Sequence, residues 1–368
     1  MLVYILFPCI ITALGSFMCR EKSGKASRAI FCSIFGLAVF LIQSLRSFVG
    51  TDYWSYTQLY DYFTYNDDSA RTLTHEKGFS IPLEILSDVF PERYIMFALI
   101  AAAVAAGSAY YIYKYSSNPT VSAVSFICFG LFFFSMNFMR QFIAGIIIMY
   151  AVTNIHNRSF FRYVALILFA SCFHWSALVM LPFYFILNIK MESITLTAYV
   201  ICAVMLAIFA RDIIQFGIDT LYLKYQTDYE IDTGSISYAY ILCYGIIFAV
   251  AYIFRESLEK RNPMTNIYLS CMFFACMFEL LGTVSAILSR FTLLFIIPPF
   301  LGLFPDLLDA IYEKIREFAG KKYKKSTVRL LVCFSALAFA ACFYGWLLST
   351  NSNGVVPYRT VFEYSGLQ

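Results

Sequence analysis

Charge is scarce in this chain: only 14% of its 368 residues are Asp, Glu, Lys or Arg, against roughly a quarter in an ordinary soluble domain. That shortage, with 60% apolar residues and a mean hydropathy of +0.70, excludes a water-soluble globular protein, because too little polar surface exists to cover the apolar one. Histidine is rarer still, with three in all, and no Walker A, GxGxxG, HExxH or GxSxG pattern occurs. Nothing here is equipped to hydrolyse ATP. Eleven cysteines are present, but none forms a CxxC pair and all lie inside or beside apolar segments, so neither a disulfide framework nor a zinc site is indicated. Internal repeats and low-complexity tracts are absent, and nucleic acid is not an expected partner.

What the chain does have is long uncharged runs, several of them long enough to cross ~30 Å of hydrocarbon as helix. Spans are read near 2–19, 29–45, 94–113, 121–138, 141–155, 163–187, 195–210, 238–254, 264–282, 291–305 and 328–348. The predicted fold is therefore all-α, a polytopic membrane protein with about 11–12 transmembrane helices. The first run lacks a basic start and a small-residue cleavage site, so it reads as a retained helix and not a signal peptide. The run 163–187 is broken near His174 and again at Pro182, and reads as a bent pair of half-helices.

Lys and Arg set the orientation. If 163–187 folds back at His174, one set of loops holds 18 of the 27 basic residues and the other set holds 9. The basic side is expected to be cytoplasmic. The opposite, extracytoplasmic side then carries the aromatic-rich segment 46–93, the acidic loop 211–237 and the tail 350–368. A single crossing by 163–187 would instead put the basic runs Arg255–Arg261 and Lys314–Lys325 outside, against the rule.

Polar residues at the outer ends of spans are the functional candidates, since a buried charge costs about 2.5–3.5 kcal/mol on insertion scales unless paired or hydrated. Arg140 and Gln141 open the span 141–155 and Arg290 opens 291–305, each beside free N–H groups at a helix start that favour an anion. A guanidinium there makes a phosphate clamp with a fixed charge and a planar fork; pairing with a nearby acid such as Glu279 is the alternative. Arg46 closes the second span and is either a third clamp or an interfacial Arg reaching for headgroups. His174 has the intrinsic proton affinity for transfer at neutral pH, and Asp52 and Glu76 are further candidate bases. Tyr53, Trp54 and Tyr56, with Asp52 and Asp61 interleaved, suit either sugar stacking or an interfacial aromatic belt. The alternation Asp228, Glu230, Asp232 suits a divalent cation or a solvated loop, and no metal site is assigned.

These residues, taken in order, carry a resemblance. Arg46 with Gly50-Thr51-Asp52-Tyr53, Glu76-Lys77-Gly78-Phe79, Met139-Arg140-Gln141-Phe142-Ile143-Ala144, Ala170 through Leu178 around His174, Ser289-Arg290-Phe291, and Val356-Pro357-Tyr358 look like the EpsG family of Wzy-like polysaccharide polymerases. Trp175 departs from the small, polar or basic residue expected after the histidine. The resemblance implies an architecture of the GT-C type and a cofactor-free, metal-independent glycosyltransferase of the bacterial cytoplasmic membrane. Such enzymes make O-antigen, capsule or exopolysaccharide. They pass the growing glycan from undecaprenyl diphosphate to the non-reducing end of a new lipid-linked repeat unit on the outer leaflet, and a Wzz-like chain-length regulator is a possible partner. The residues read on their own chemistry fit this reaction: Arg140 and Arg290, with Arg46, would hold the diphosphate. His174, Asp52 or Glu76 would act as base, and Tyr53, Trp54, Tyr56, Gln141 and Tyr358 would contact glycan.

Rival readings are an O-antigen ligase, a polysaccharide-modifying membrane acyltransferase and, outside the enzymes, a flippase of lipid-linked oligosaccharide. The first span holds no ionisable residue of the kind an acyltransferase places early, and no matched halves of a transporter are visible.

Overall fold

The computed structural model describes residues 1–19, 23–65, 76–221, 238–319 and 323–363. Among these every regular element is a helix, and the one β-type pairing is an isolated antiparallel bridge between Arg46 and Thr360. The first half runs through α1 (Leu2–Met18), α2 (Lys25–Ser44), α3 (Tyr53–Thr64), α4 (Lys77–Val89), α5 (Tyr94–Tyr115), α6 (Pro119–Cys128), α7 (Leu131–Asn137), α8 (Met139–His156) and α9 (Phe160–Ser171). A 3-10 turn (Trp175–Met180) and the short α10 (Phe183–Ile186) follow. The second half comprises α11 (Ser193–Leu221), α12 (Tyr238–Ile253), α13 (Arg255–Glu259), α14 (Thr265–Leu281), α15 (Ala286–Arg290), α16 (Thr292–Gly302), α17 (Phe304–Ala319) and α18 (Lys325–Thr350).

Four helices are long and apolar enough to cross a bilayer: Lys25–Ser44, Tyr94–Tyr115, Ser193–Ala210 within α11, and Lys325–Thr350; two bent pairs raise the count to six among the described residues. Four further apolar helices are shorter: Leu2–Met18, Phe160–Ser171, Tyr238–Ile253 and Thr265–Leu281. The chain is a multi-pass membrane protein, though not a bundle of eleven straight rods. Its bends have local causes. Gly130, at φ 89°, separates α6 from α7, which meet at 54°, because a left-handed joint suits a residue without Cβ. Pro298 and Pro299 deprive α16 of two backbone donors, and a 50° bend follows between Ala286–Gly302 and α17. The span read near 291–305 is therefore part of a kinked element.

The break inside 163–187 is a true fold-back. His174 is extended (φ −156°, ψ 120°) between α9 and the 3-10 turn, and the returning arm lies along the outgoing one. Phe160, at the start of α9, packs against Tyr184 and Phe185 with ring centroids 5.0 and 5.8 Å apart, and the Tyr163 hydroxyl donates to the Met180 carbonyl. Both ends of the segment thus lie at one end of the bundle, and His174 lies at the other.

A dense aromatic core holds this arrangement. Phe129, at the α6–α7 joint, stacks on Phe300 at 4.8 Å and packs edge-on to Phe304, tying two bent elements together at their bends. Of the sequence-predicted regions, 66–75 (including His75), 222–237 (including Asp228, Glu230 and Asp232) and 364–368 lie outside the described residues.

Candidate active site

Glu76 precedes α4 with an extended backbone (φ −79°, ψ 98°), and its side chain does not cap the helix. The carboxylate is thereby free to reach other elements. Gly78, two residues on, donates its N–H to the Cys172 carbonyl at 2.9 Å, which fastens the start of α4 to the end of α9. A Cβ at residue 78 would lie 2.7 Å from both the Cys172 Cβ and its carbonyl oxygen, so glycine permits the approach. That contact carries Glu76 to His174. Glu76 Oε1 lies 3.2 Å from His174 Nδ1, and Oε2 accepts from Arg140 Nη1 at 2.8 Å.

Arg140 is the second residue of α8, just after the non-helical Phe138 (φ −77°, ψ 52°). Its N–H donates to the Tyr56 hydroxyl at 3.3 Å, and its guanidinium lies 5.8 Å from the ring centres of both Tyr56 and Phe79. The rings hold the guanidinium plane while leaving donors unspent. Three remote stretches therefore meet on one carboxylate. The Glu76 side chain is 11% exposed, and those of Arg140 and His174 are each 28% exposed, so the cluster is sheltered but open on one side.

Burial alone would raise the Glu76 carboxyl, but the hydrogen bond with His174 and the charge of Arg140 more than offset it, and the group lies below its ordinary 4.5. Glu76 is thus an anion with both oxygens engaged. In a neutral imidazole whose Nδ1–H donates to Glu76, Nε2 is the acceptor, so the carboxylate both selects the tautomer and aims the ring. The arrangement is an oriented base next to a fixed cation.

Gln141 is buried and donates from Nε2 to the Arg290 carbonyl at 2.6 Å, which brings Arg290 beside the start of α8. Arg290 ends α15 instead of opening a helix as expected; it is exposed, and among the described residues its guanidinium has no partner. The acid paired with Arg140 is Glu76, not Glu279.

Other sequence candidates are placed differently. Arg46 is only 2% exposed, its guanidinium enclosed by protein and not at the surface. Tyr53 stacks face-on with Phe97 (4.4 Å, 3°), and Tyr358 donates to the Ile42 carbonyl at 2.9 Å while packing edge-on against Tyr4. Both rings are thus engaged in packing contacts within the protein. Tyr56 is buried as well and serves Arg140, and Gln141 binds backbone, not an open face. Trp54 alone of the aromatic set is exposed, at 54%, stacked on Phe48. Asp52 accepts from Thr51 Oγ1 at 3.1 Å, and no contact between it and the Glu76 cluster is present among the described residues. Phe79 and Gly78 were visible in the Glu76-Lys77-Gly78-Phe79 quartet, but their roles depend on partners some sixty and ninety residues away. All eleven cysteines are free thiols, and no three His, Cys, Asp or Glu side chains group as metal ligands among the described residues.

Compared with known proteins, the chain matches the model of the EpsG family over residues 29–360, a stretch that contains every residue of this cluster. No curated protein and no solved structure matches it.

Proposed function

Because this chain belongs to the EpsG family, we propose that it is a polysaccharide polymerase that lengthens a surface glycan. The donor is the growing glycan on undecaprenyl diphosphate, and the acceptor is the non-reducing end of a new lipid-linked repeat unit. The meeting of Arg140 and His174 on Glu76 carries this reading. In the proposed step His174 Nε2 takes the proton of an acceptor hydroxyl as its oxygen attacks the anomeric carbon of the donor. The bond from that carbon to the diphosphate oxygen breaks, and the electron pair leaves with the diphosphate. Its growing negative charge needs preorganised cations. Arg140 and the exposed Arg290 supply them, and Trp54 offers the remaining ring face to the glycan.

An outward-facing site is supported by loop charge together with the fold-back at His174, which returns the later loops to the alternation that gathers 18 of 27 basic residues on one side. The site then faces outward across the bacterial cytoplasmic membrane.

Deleting the gene in the organism that encodes it tests the reaction. Surface glycan of a single repeat, restored to polymer by the wild-type gene, is the expected result. Complete loss of glycan would point to flipping, and full-length unligated polymer to ligation; either overturns the polymerase reading.

A further inference from the structure

The C-terminal segment 351–361 folds back over the stretch that follows α2. Val361 donates its N–H to the Leu45 carbonyl, Ser47 to Arg359, Gly50 to Gly354 and Thr51 to Asn353, at 2.9, 3.0, 2.9 and 3.2 Å. Beneath this strap lies Arg46. Its Nη1 donates to the Val49 carbonyl at 3.0 Å, its Nη2 reaches Met139 Sδ at 3.3 Å, and its guanidinium sits 5.3 and 5.7 Å from the Phe97 and Tyr53 ring centres. Among the described residues no carboxylate pairs with it. Burial lowers its pKa to about 10, so the charge persists at neutral pH. A buried cation without a counter-ion is costly, which calls for a reason to keep it there.

The reason is visible at Phe138. This residue is the only break between α7 and α8, and Arg140 follows it by two positions. Asn137, on one side of the break, donates from Nδ2 to the Asn353 carbonyl of the strap at 3.0 Å; Met139, on the other side, is held by Arg46. We infer that Arg46 and the strap 351–361 form a clamp that pins both sides of the Phe138 hinge and so positions Arg140 against Glu76. Arg46 is then a positioning residue and not a diphosphate ligand. The consequence for polymer rests on the reading of Arg140 given above, whereas the geometric claim does not.

The full-length protein labelled with 15N-histidine tests it, since only three histidines are present and the His174 imidazole reports the Glu76 contact directly. Arg46→Lys keeps the charge but loses the fork, and Asn137→Leu cuts the tie to the strap. Both should move the His174 Nδ1 resonance in the direction that Arg140→Lys moves it, leaving His156, at the far end of α8, unchanged. Polymer output should fall by about tenfold to a hundredfold at normal protein levels, the scale of a small misplacement. A His174 resonance that responds to Arg140→Lys but to neither clamp variant overturns the inference, as does one that ignores all three. If Arg46→Lys fails to fold, Asn137→Leu decides alone. Polymer loss without spectral change assigns the two residues a role elsewhere, and spectral change without polymer loss keeps the clamp while removing Arg140 from catalysis.

Discussion

Glu76 and His174, 98 positions apart in sequence, share a hydrogen bond between Oε1 and Nδ1 at 3.2 Å. The pairing gives the imidazole a fixed orientation and leaves its second nitrogen for chemistry, an arrangement that the acid and the histidine create only together.

The base role of His174 is testable by graded substitution. His174→Gln should lower polymer formation by about 10²–10⁴-fold, the usual contribution of a positioned base. Glu76→Gln should cost less, since the imidazole remains and the amide oxygen can still accept from it, while the carboxylate charge and the ion pair with Arg140 are lost. Polymer length and yield in membranes of complemented deletion strains give the comparison. A His174→Gln strain with wild-type polymer would take proton transfer away from this residue.

Stability should depend on pH through Glu76. Its folded-state carboxyl lies below 4.5 because its bond to His174 and the neighbouring Arg140 charge outweigh burial. A depressed value means that the stabilisation is fully present above the unfolded value and is lost as pH falls through the folded one. The Tm gap between wild type and Glu76→Gln should therefore be present at neutral pH and close as pH falls below about 4.5. A gap that survives undiminished in acid, well below that value, would reverse the sign assigned here.

Much of this was legible in the sequence, for reasons particular to membrane chains. Scarce charge and long apolar runs predict the helices, and the distribution of Lys and Arg along the chain already favours the fold-back at His174. Arg140, His174 and Glu76 were legible as candidates, since ionisable residues are few. Their convergence was not, because it depends on a backbone contact between Gly78 and Cys172. Burial was equally hidden: Arg46 and Tyr53 have the composition of a ligand site, and only packing shows that Arg46 lies under the C-terminal strap and that Tyr53 stacks on Phe97. The helix breaks at Gly130 and after Pro298-Pro299 had local signals, whereas the hinge at Phe138 had none.

The Gly78–Cys172 approach makes its own prediction. Gly78→Val places a Cβ 2.7 Å from two Cys172 atoms, so α4 and α9 must separate at this point. Overpacking of this kind costs about 1–3 kcal/mol, and here it should also draw Glu76 away from His174. Polymer should be lost with only a modest fall in Tm. Gly245→Ala, where nothing lies within 4 Å of the added carbon, is the matched control and should leave both unchanged. Full polymer from Gly78→Val would mean that the Glu76 contact does not serve the reaction.

Arg140 and Arg290 separate structure from chemistry, because one is paired with Glu76 and the other, among the described residues, has no side-chain partner. Arg140→Ala strands the Glu76 carboxylate, so it should cost stability as well as polymer, with about a 10²–10³-fold loss in rate on the scale of a removed charge stabiliser. Arg290→Ala removes an exposed side chain with no partner among the described residues, and its backbone bond to Gln141 persists in the variant. Its stability should change by no more than about 0.5 kcal/mol. Any polymer defect it shows is then a defect in charge stabilisation and not in folding. Thermal melts of the purified variants beside polymer profiles of the complemented strains resolve the two effects. Wild-type chain length from Arg290→Ala would leave Arg140 as the sole cation of the proposed diphosphate site, while unchanged polymer from Arg140→Ala would remove the site itself.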